Sequence, residues 1–420
     1  MLSFVKVLIM KSSARMHTVL SKIIPSKDIV IKFLYFSFIV FVCGFFFLPI
    51  RWHRNLYYVL LILPFLFLLK DLDFKQLLRS HVFKLSLVYI VFMVLTVLWA
   101  EGLDLEGVLK YWRRGFTLIS FLIIMAYLLI KDKDYLDVLF KWSCRMAGIL
   151  AFFSIIWFYF SRGISLDSGR LVSIGPLDNP ILAGNVYAGM ALVSHYHFSI
   201  KKNRRMHERL VSLSTFLVIL SFVLLTQSRG PLIALFATML FSSFLVKDYK
   251  FLLNIAFLVG VLFISKIFNF FDPFSLISRG DSYRFVIWEQ AWSFFLEKPV
   301  LGYGLGGGRP DILIKPDISI AHAHNIFLAN LLDGGVVALG LLLAVLLMSA
   351  YWAFVYFKKS GNVTLVALVL FAVFSNMTDG HTLIMSPGYQ WIYFWMPVAI
   401  ISAFEFHLKH DESGTIIAPS

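Results

Sequence analysis

Three basic side chains stand in settings that suit phosphate chemistry, in a 420-residue chain of which only 15% is charged. Arg229 occurs in Thr226-Gln227-Ser228-Arg229-Gly230-Pro231, and Arg284 in Asp281-Ser282-Tyr283-Arg284-Phe285-Val286-Ile287-Trp288. His324 opens the run His324-Asn325-Ile326-Phe327-Leu328-Ala329-Asn330-Leu331-Leu332-Asp333-Gly334-Gly335. Arginine keeps its charge and grips phosphate oxygens through a planar fork. Histidine titrates near neutrality and can take the proton of an attacking hydroxyl. Two guanidiniums and an imidazole at one membrane face suit a transfer in which a diphosphate leaves and a hydroxyl attacks.

Each group also has a plainer reading. Arg229 can snorkel to lipid headgroups from a helix end. Arg284 can pair with Asp281 or Glu289, as surface ions commonly do. His324 can simply stand at a helix start with Asn325 as its cap. His322 competes with His324 for the same role, and on a helix a spacing of two would put the two rings on different sides. Arg279, Asn325, Arg170 and Asp379 are further candidates for substrate contact. Arg170 precedes the turn Gly175-Pro176-Leu177-Asp178-Asn179-Pro180, where it would line an entrance for a charged substrate. Asp379, in the turn with Gly380 and His381, would orient His324 or pair with Arg229.

Other motifs point away from cofactors. Gly302-Tyr303-Gly304-Leu305-Gly306-Gly307 fits a dinucleotide fingerprint but lacks the strand, helix and acidic residue around it. A turn using positive φ is the better reading. No phosphate-loop lysine pattern occurs, so ATP hydrolysis is not expected. Asp71-Leu72-Asp73 and Asp132-Lys133-Asp134 resemble metal-holding pairs, yet both fall on the face away from the histidines. His322 and His324 lack a third ligand at metal spacing. Neither a metal nor another cofactor is therefore expected. Two cysteines, Cys43 and Cys144, sit in apolar runs and offer no disulfide framework.

The elements that must position these groups are membrane helices. With 59% hydrophobic residues and a mean hydropathy of +0.81, the chain has too little polar side chain to cover a soluble core. The net charge of +14 marks loops and anionic headgroups rather than a nucleic-acid partner. No cleavable signal peptide is evident in residues 1–28. About 20 apolar residues cross a bilayer. Twelve candidate segments satisfy or approach this: 32–50, 55–69, 83–100, 115–130, 140–160, 180–200, 209–227, 230–246, 251–268, 335–357, 362–379 and 386–407. The expected fold is thus an all-α polytopic integral membrane protein. Its expected parts are a cytoplasmic tail at 1–31, helices one to nine at 32–269, a long outer loop at 270–334, helices ten to twelve at 335–407 and a second tail at 408–420. Lysine and arginine favour the side of the termini, with residues 201–209 the densest cluster, which predicts both ends inside and the loop outside. A loop of this length is either functional or disordered. Its residues Tyr283, Phe285, Val286, Ile287, Trp288, Trp292, Phe294 and Phe295 give it an apolar face, predicting short amphipathic helices and an ordered loop.

Taken together, several of these motifs resemble the O-antigen ligases and their wider superfamily. They are Thr-Gln-Ser-Arg at 226–229, Arg284 four residues before Trp288, Lys298-Pro299-x-x-Gly302-x-Gly304, and His324-Asn325 followed by Gly335. The resemblance runs from about 180 to the end, and departs at Ala338, where a glycine is usual. It implies transfer of an O-antigen polysaccharide from undecaprenyl diphosphate to a sugar hydroxyl of lipid A–core, at the periplasmic face of the bacterial inner membrane. Carried over by motif, Arg229 and Arg284 would hold the diphosphate, and His324 would act as base or orient the acceptor. Neither ATP nor metal is implied. The nearest rival is the O-antigen polymerase of the same superfamily. Such polymerases tend to have two long outer loops, whereas the other outer interval here, 161–179, is short. A polyprenyl-glycan transporter is a rival of another class; it would place charges at the bilayer midplane, where only Arg145 is a candidate. The sequence carries no signal for oligomeric state.

Overall fold

The computed structural model describes residues 26–161, 169–199, 205–247, 260, 266, 283–315 and 318–412. The expected helix at 251–268 falls almost wholly outside them, as do Arg279 and most of the basic cluster at 201–209.

The described chain is mostly helical. In order it forms α1 (Lys27–Gly44), α2 (Ile50–Tyr57), α3 (His81–Leu95), α4 (Leu105–Lys131), α5 (Tyr135–Ile156), α6 (Pro180–Leu192), α7 (Met206–Leu225) and α8 (Arg229–Val246). Then come α9 (Arg284–Glu297), strands β1 (Ile312–Lys315) and β2 (Ile318–Ile320), α10 (Ile326–Ser360), α11 (Thr364–Thr378) and α12 (Met396–Glu412). Seven helical stretches among the described residues are long and apolar enough to cross a bilayer, against the twelve expected. The shortfall has local causes. The α2 stretch carries Arg51, His53, Arg54 and Asn55, and α6 with the π turn that follows it carries Asn185, His195 and His197. Helix α1 carries Lys27, Asp28 and Lys32, and α11 is 15 residues long.

Boundaries follow from caps, because the first N–H groups of a helix need acceptors. Asp104 accepts from Gly107 to start α4, and Asn179 accepts from Ile181 and Leu182 to start α6. Helix α3 is capped twice. Ser80 accepts from Phe83, and the buried carboxylate of Glu405, on α12, accepts from the His81 and Val82 amides at 2.8 and 3.0 Å.

Helix α12, with the π turn Trp391–Trp395 that leads into it, is the axis of the molecule. Its apolar window is 94% buried, whereas that of α7 is 33% buried and faces outward. Trp391 and Trp395 are fully buried and donate to the Met385 and Leu383 carbonyls, and Phe121 and Phe41 pack around Trp391. The outer surface is apolar as well: Phe36, Phe153, Phe160, Phe244 and Leu347 are all exposed. An apolar surface around an apolar core is what a bilayer solvent requires.

The loop between α8 and α10 differs in detail from expectation. Instead of several helices, its described part holds one helix, α9, and an antiparallel β1–β2 hairpin. Ile287, Ala291 and Phe295 of α9 join Tyr303, Ile312, Ala323, Leu331 and Leu332 in a small core of its own. The face predicted from sequence is partly misassigned, since Phe285 and Trp292 point outward. A helical stretch already begins at Ile326, where the Asn325 side chain accepts from Phe327 and Leu328, and it is joined through a break at Gly335 to the stretch expected from residue 335 on. At Gly335 it kinks, with φ 65° and ψ −161°.

Candidate active site

That kink is where the glycine-rich turn enters. A left-handed residue breaks the helical ladder, so the Leu332 and Asp333 carbonyls are free to accept from the Tyr303 and Gly304 amides at 2.7 and 3.0 Å. In return the Val336 amide donates to the Pro299 carbonyl at 2.9 Å. A Cβ on Gly335 would lie 2.1 Å from the Val300 oxygen, and one on Gly302 2.5 Å from the Leu332 oxygen, so both positions require glycine. The far side of the turn is tied to the α3–α4 corner. Leu305 donates to Thr96 Oγ1, Gly308 to the Glu101 carbonyl, and Lys298 Nζ lies 2.6 Å from Glu101 Oε1. The Lys298 charge holds the Glu101 carboxyl below its ordinary pKa. Arg309, at the end of the turn, pairs with Asp333 at 3.0 Å and also donates to the Ala321 carbonyl. It thereby holds the strand that delivers His322 and His324.

Three of the predicted groups come together at one end of the bundle. His324 Nδ1 lies 2.8 Å from Asp379 Oδ1. The approach is made by Gly380, whose Cβ would sit 3.1 Å from Ile326 Cβ, so the α11 turn lies directly against the start of α10. Gly230, next to Arg229, is equally close to Thr378, which brings the start of α8 to the same turn. Arg284 is half-buried. Burial lowers its pKa from the usual guanidinium value, the Asp379 charge opposes this, and the Arg229 charge adds to it. Arg284 therefore lies near enough to Asp379 and Arg229 to feel both charges, and Asp379 holds the His324 imidazole.

Backbone strain marks the same places. Four non-glycine residues among those described have positive φ, and three are Gln227, Tyr283 and His324. Each lies at a helix start: Tyr283 holds the N-cap position of α9, and Gln227 and His324 precede the N-cap positions of α8 and α10, Ser228 and Asn325. Left-handed conformations at such residues cost energy and persist where surrounding contacts impose them. They occur at three helix N-termini, each of which carries partial positive charge.

The histidines are not placed as a helical spacing would place them. His322 and His324 precede α10 in a bend of the chain, and their ring centroids are 4.0 Å apart. His381 stacks on His322 at 5.2 Å, and Tyr389 Oη lies 3.2 Å from His381 Nδ1. Burial, then the charges of His324 and His381, lower the His322 pKa to about 4, so it is neutral at ordinary pH. Burial also lowers that of His381; Asp379 opposes this, and Arg309, His324 and Arg114 add to it.

Arg170 is bound to the turn that leads into α8. Its Nε donates to the Thr226 carbonyl at 3.1 Å and its Nη2 to Ser228 Oγ at 2.8 Å, so it holds the turn that presents Arg229. The two acidic pairs dismissed as metal sites are helix-end features: Asp73 accepts from Lys75 and Gln76, Asp132 from Asp134, and Asp71 pairs with Lys27. Sequence reasoning missed Arg309, His381 and Arg114. The Arg113-Arg114 pair, at the edge of the apolar run 115–130, was a readable signal; Arg309, at the end of a flexible-looking glycine run, gave none.

These features define a helical membrane protein in which α9 and the β1–β2 hairpin pack beside a cationic, histidine-bearing site. Comparison with known proteins gives the class a family. Residues 214–343 match the family model described as O-Antigen ligase, and this span contains Arg229, Arg284 and His324. A curated O-antigen ligase of Pseudomonas aeruginosa strain PAO1 is 24% identical over 355 residues, covering 84% of this chain and 85% of the relative. Together they support the O-antigen ligase family and, with the apolar helices, a role in lipopolysaccharide biosynthesis at the inner membrane.

Proposed function

We propose that the protein is an O-antigen ligase, a glycosyltransferase moving a polysaccharide from undecaprenyl diphosphate to a sugar hydroxyl of lipid A–core. The observation that carries this reading is the convergence of Arg229, Arg284 and the His324–Asp379 pair at three helix N-termini. Such an arrangement stabilises a diphosphate that gains charge as it leaves. With Nδ1–H donated to Asp379, His324 keeps the lone pair of Nε2 for a proton. The acceptor oxygen attacks the anomeric carbon, His324 Nε2 takes the hydroxyl proton, and the bond from that carbon to the diphosphate oxygen breaks. The electron pair leaves with undecaprenyl diphosphate, whose charge the two arginines balance. The sugar is already activated, so ATP is not required, and the arginines supply the electrostatics that a divalent metal supplies elsewhere.

Around this chemistry, Arg170 is a positioning residue for Arg229, His322 and Asn325 contact substrate, and Arg279 adds a charge at the loop. Twelve spans with both termini in the cytoplasm, and the site on the periplasmic face, fit the distribution of basic residues. In that arrangement α1, the α2 stretch, α6 and α11 complete the spans, with residues 251–268 as the ninth.

The test uses cells deleted for the gene and complemented with wild type, Arg284→Ala or His324→Ala, with protein levels checked by immunoblot. The deletion removes the ladder of long chains on lipid A–core while polymer accumulates on the polyprenyl carrier, and neither variant restores it. Core bearing a single repeat unit in the deletion makes the protein the polymerase instead. An unchanged ladder overturns both.

A further inference from the structure

Helix α9 has an apolar face that neither its packing nor the proposed chemistry uses. Its side chains fall into three stripes, because residues four apart lie on one side of a helix. Ile287, Ala291 and Phe295 are buried in the loop's small core. Glu289, Ser293 and Glu297 form an exposed polar stripe. Between these two run Phe285, Trp292 and Leu296, which share a face by helical spacing and are all exposed. A helix that touched only protein and water would need the first two stripes and not the third.

The chain after α9 carries the apolar stripe onto the membrane-facing surface. Val300 and Leu301 are exposed as well. They sit between two membrane spans: the Trp99 indole donates to the Leu301 carbonyl at 3.2 Å, and the Val336 amide donates to the Pro299 carbonyl. On one side, α3 and the turn after it expose Val91, Leu95 and Leu98. On the other, α10 exposes Val336, Leu343 and Leu347. The stripe on α9 is thus the upper end of a surface whose lower part faces lipid.

We infer that α9 is an interfacial helix, with Phe285, Trp292 and Leu296 inserted among the acyl chains of the leaflet nearest the site. Its polar stripe faces water. Lipid is the occupant because the stripe continues a surface that the bilayer already covers, and because carboxylates border it on its wet side only. Tryptophan favours such a boundary, and helices of this kind sit about 5–10 Å into it. Arg284 is the first residue of α9, so the same anchoring keeps its guanidinium near headgroup level. The anchoring itself does not depend on the proposed transfer.

Single cysteines are introduced into Cys43→Ala/Cys144→Ala full-length protein, labelled with a nitroxide and reconstituted in nanodiscs. Collisions with oxygen and with a nickel chelate are read by power-saturation EPR. Labels at Trp292→Cys and Leu296→Cys meet oxygen and escape nickel, at a depth of about 5–10 Å below the phosphates. Ser293→Cys meets nickel, and Leu347→Cys reads deep in the bilayer. Nickel access at 292 and 296 puts the face in water and overturns the inference. Shielding from both reagents does so too, since a second copy of the chain would then cover the face. Should the cysteine variants fail to fold, wild type and Trp292→Phe are compared in nanodiscs of brominated lipid. The fluorescence lost with Trp292 is quenched by bromine on the acyl chains and not by aqueous acrylamide; the reverse overturns the insertion.

Discussion

At the scale of single residues, the His324–Asp379 contact and the two arginines divide the work differently, and variants separate them. His324→Ala is expected to lower transfer about 100- to 10000-fold while binding of the lipid-linked donor persists, since it removes a proton acceptor and no positive charge. Arg284→Ala is expected to cost about 100- to 1000-fold and to weaken donor binding as well. A transfer assay in detergent, with donor binding measured in parallel, distinguishes the two. His322 contributes through its neutrality. Its pKa in the fold, about 4, is below the ordinary histidine value of 6.5, so the unfolded chain takes the proton first. Stability is then full above pH 6.5 and falls as pH drops toward 4. Differential scanning fluorimetry across pH 4–7 is expected to show a smaller acid loss in His322→Asn than in wild type.

At the scale of elements, the union of the glycine-rich turn with α10 decides where the histidines stand. Gly335→Ala combines a strained φ with a Cβ clash against the Val300 carbonyl, and a loss of at least ~2 kcal/mol is expected, read as a lowered denaturation midpoint. Arg309→Ala leaves the Asp333 carboxylate buried without its partner, at a cost of about 3–5 kcal/mol, whereas Arg309→Leu/Asp333→Leu recovers much of it. If the single variant proves as stable as wild type, the pair does not hold the loop. The sequence showed these motifs as separate matches at 298–304, 324–325 and 335. It could not show that one kink joins them, because the join depends on which helical carbonyls lose their partners. Asn325 was legible as a cap, and the glycines as positive-φ turns, since both rest on properties of the residue itself. The actual places of Arg170 and Arg309 were not, because each is fixed by a carbonyl distant in sequence.

At the scale of the whole molecule, composition alone established the solvent and the helical class. Counting spans from hydropathy was less secure, because polar side chains in α2 and α6, a charged helix start and a 15-residue helix hold these stretches below the apolarity or length of a span. The centrality of α12 was hidden for a related reason: a helix buried among helices and one facing lipid look alike in hydropathy. The seam between loop and kinked helix has a consequence for traffic. Lifting the 299–304 segment would strand the Leu332 and Asp333 carbonyls indoors, so this rim stays shut through turnover. On the proposed function, both lipid substrates would then arrive edgewise, diffusing in the plane of the bilayer. Turnover should follow their crowding in that plane: diluting them with inert detergent at constant bulk concentration slows the reaction in proportion.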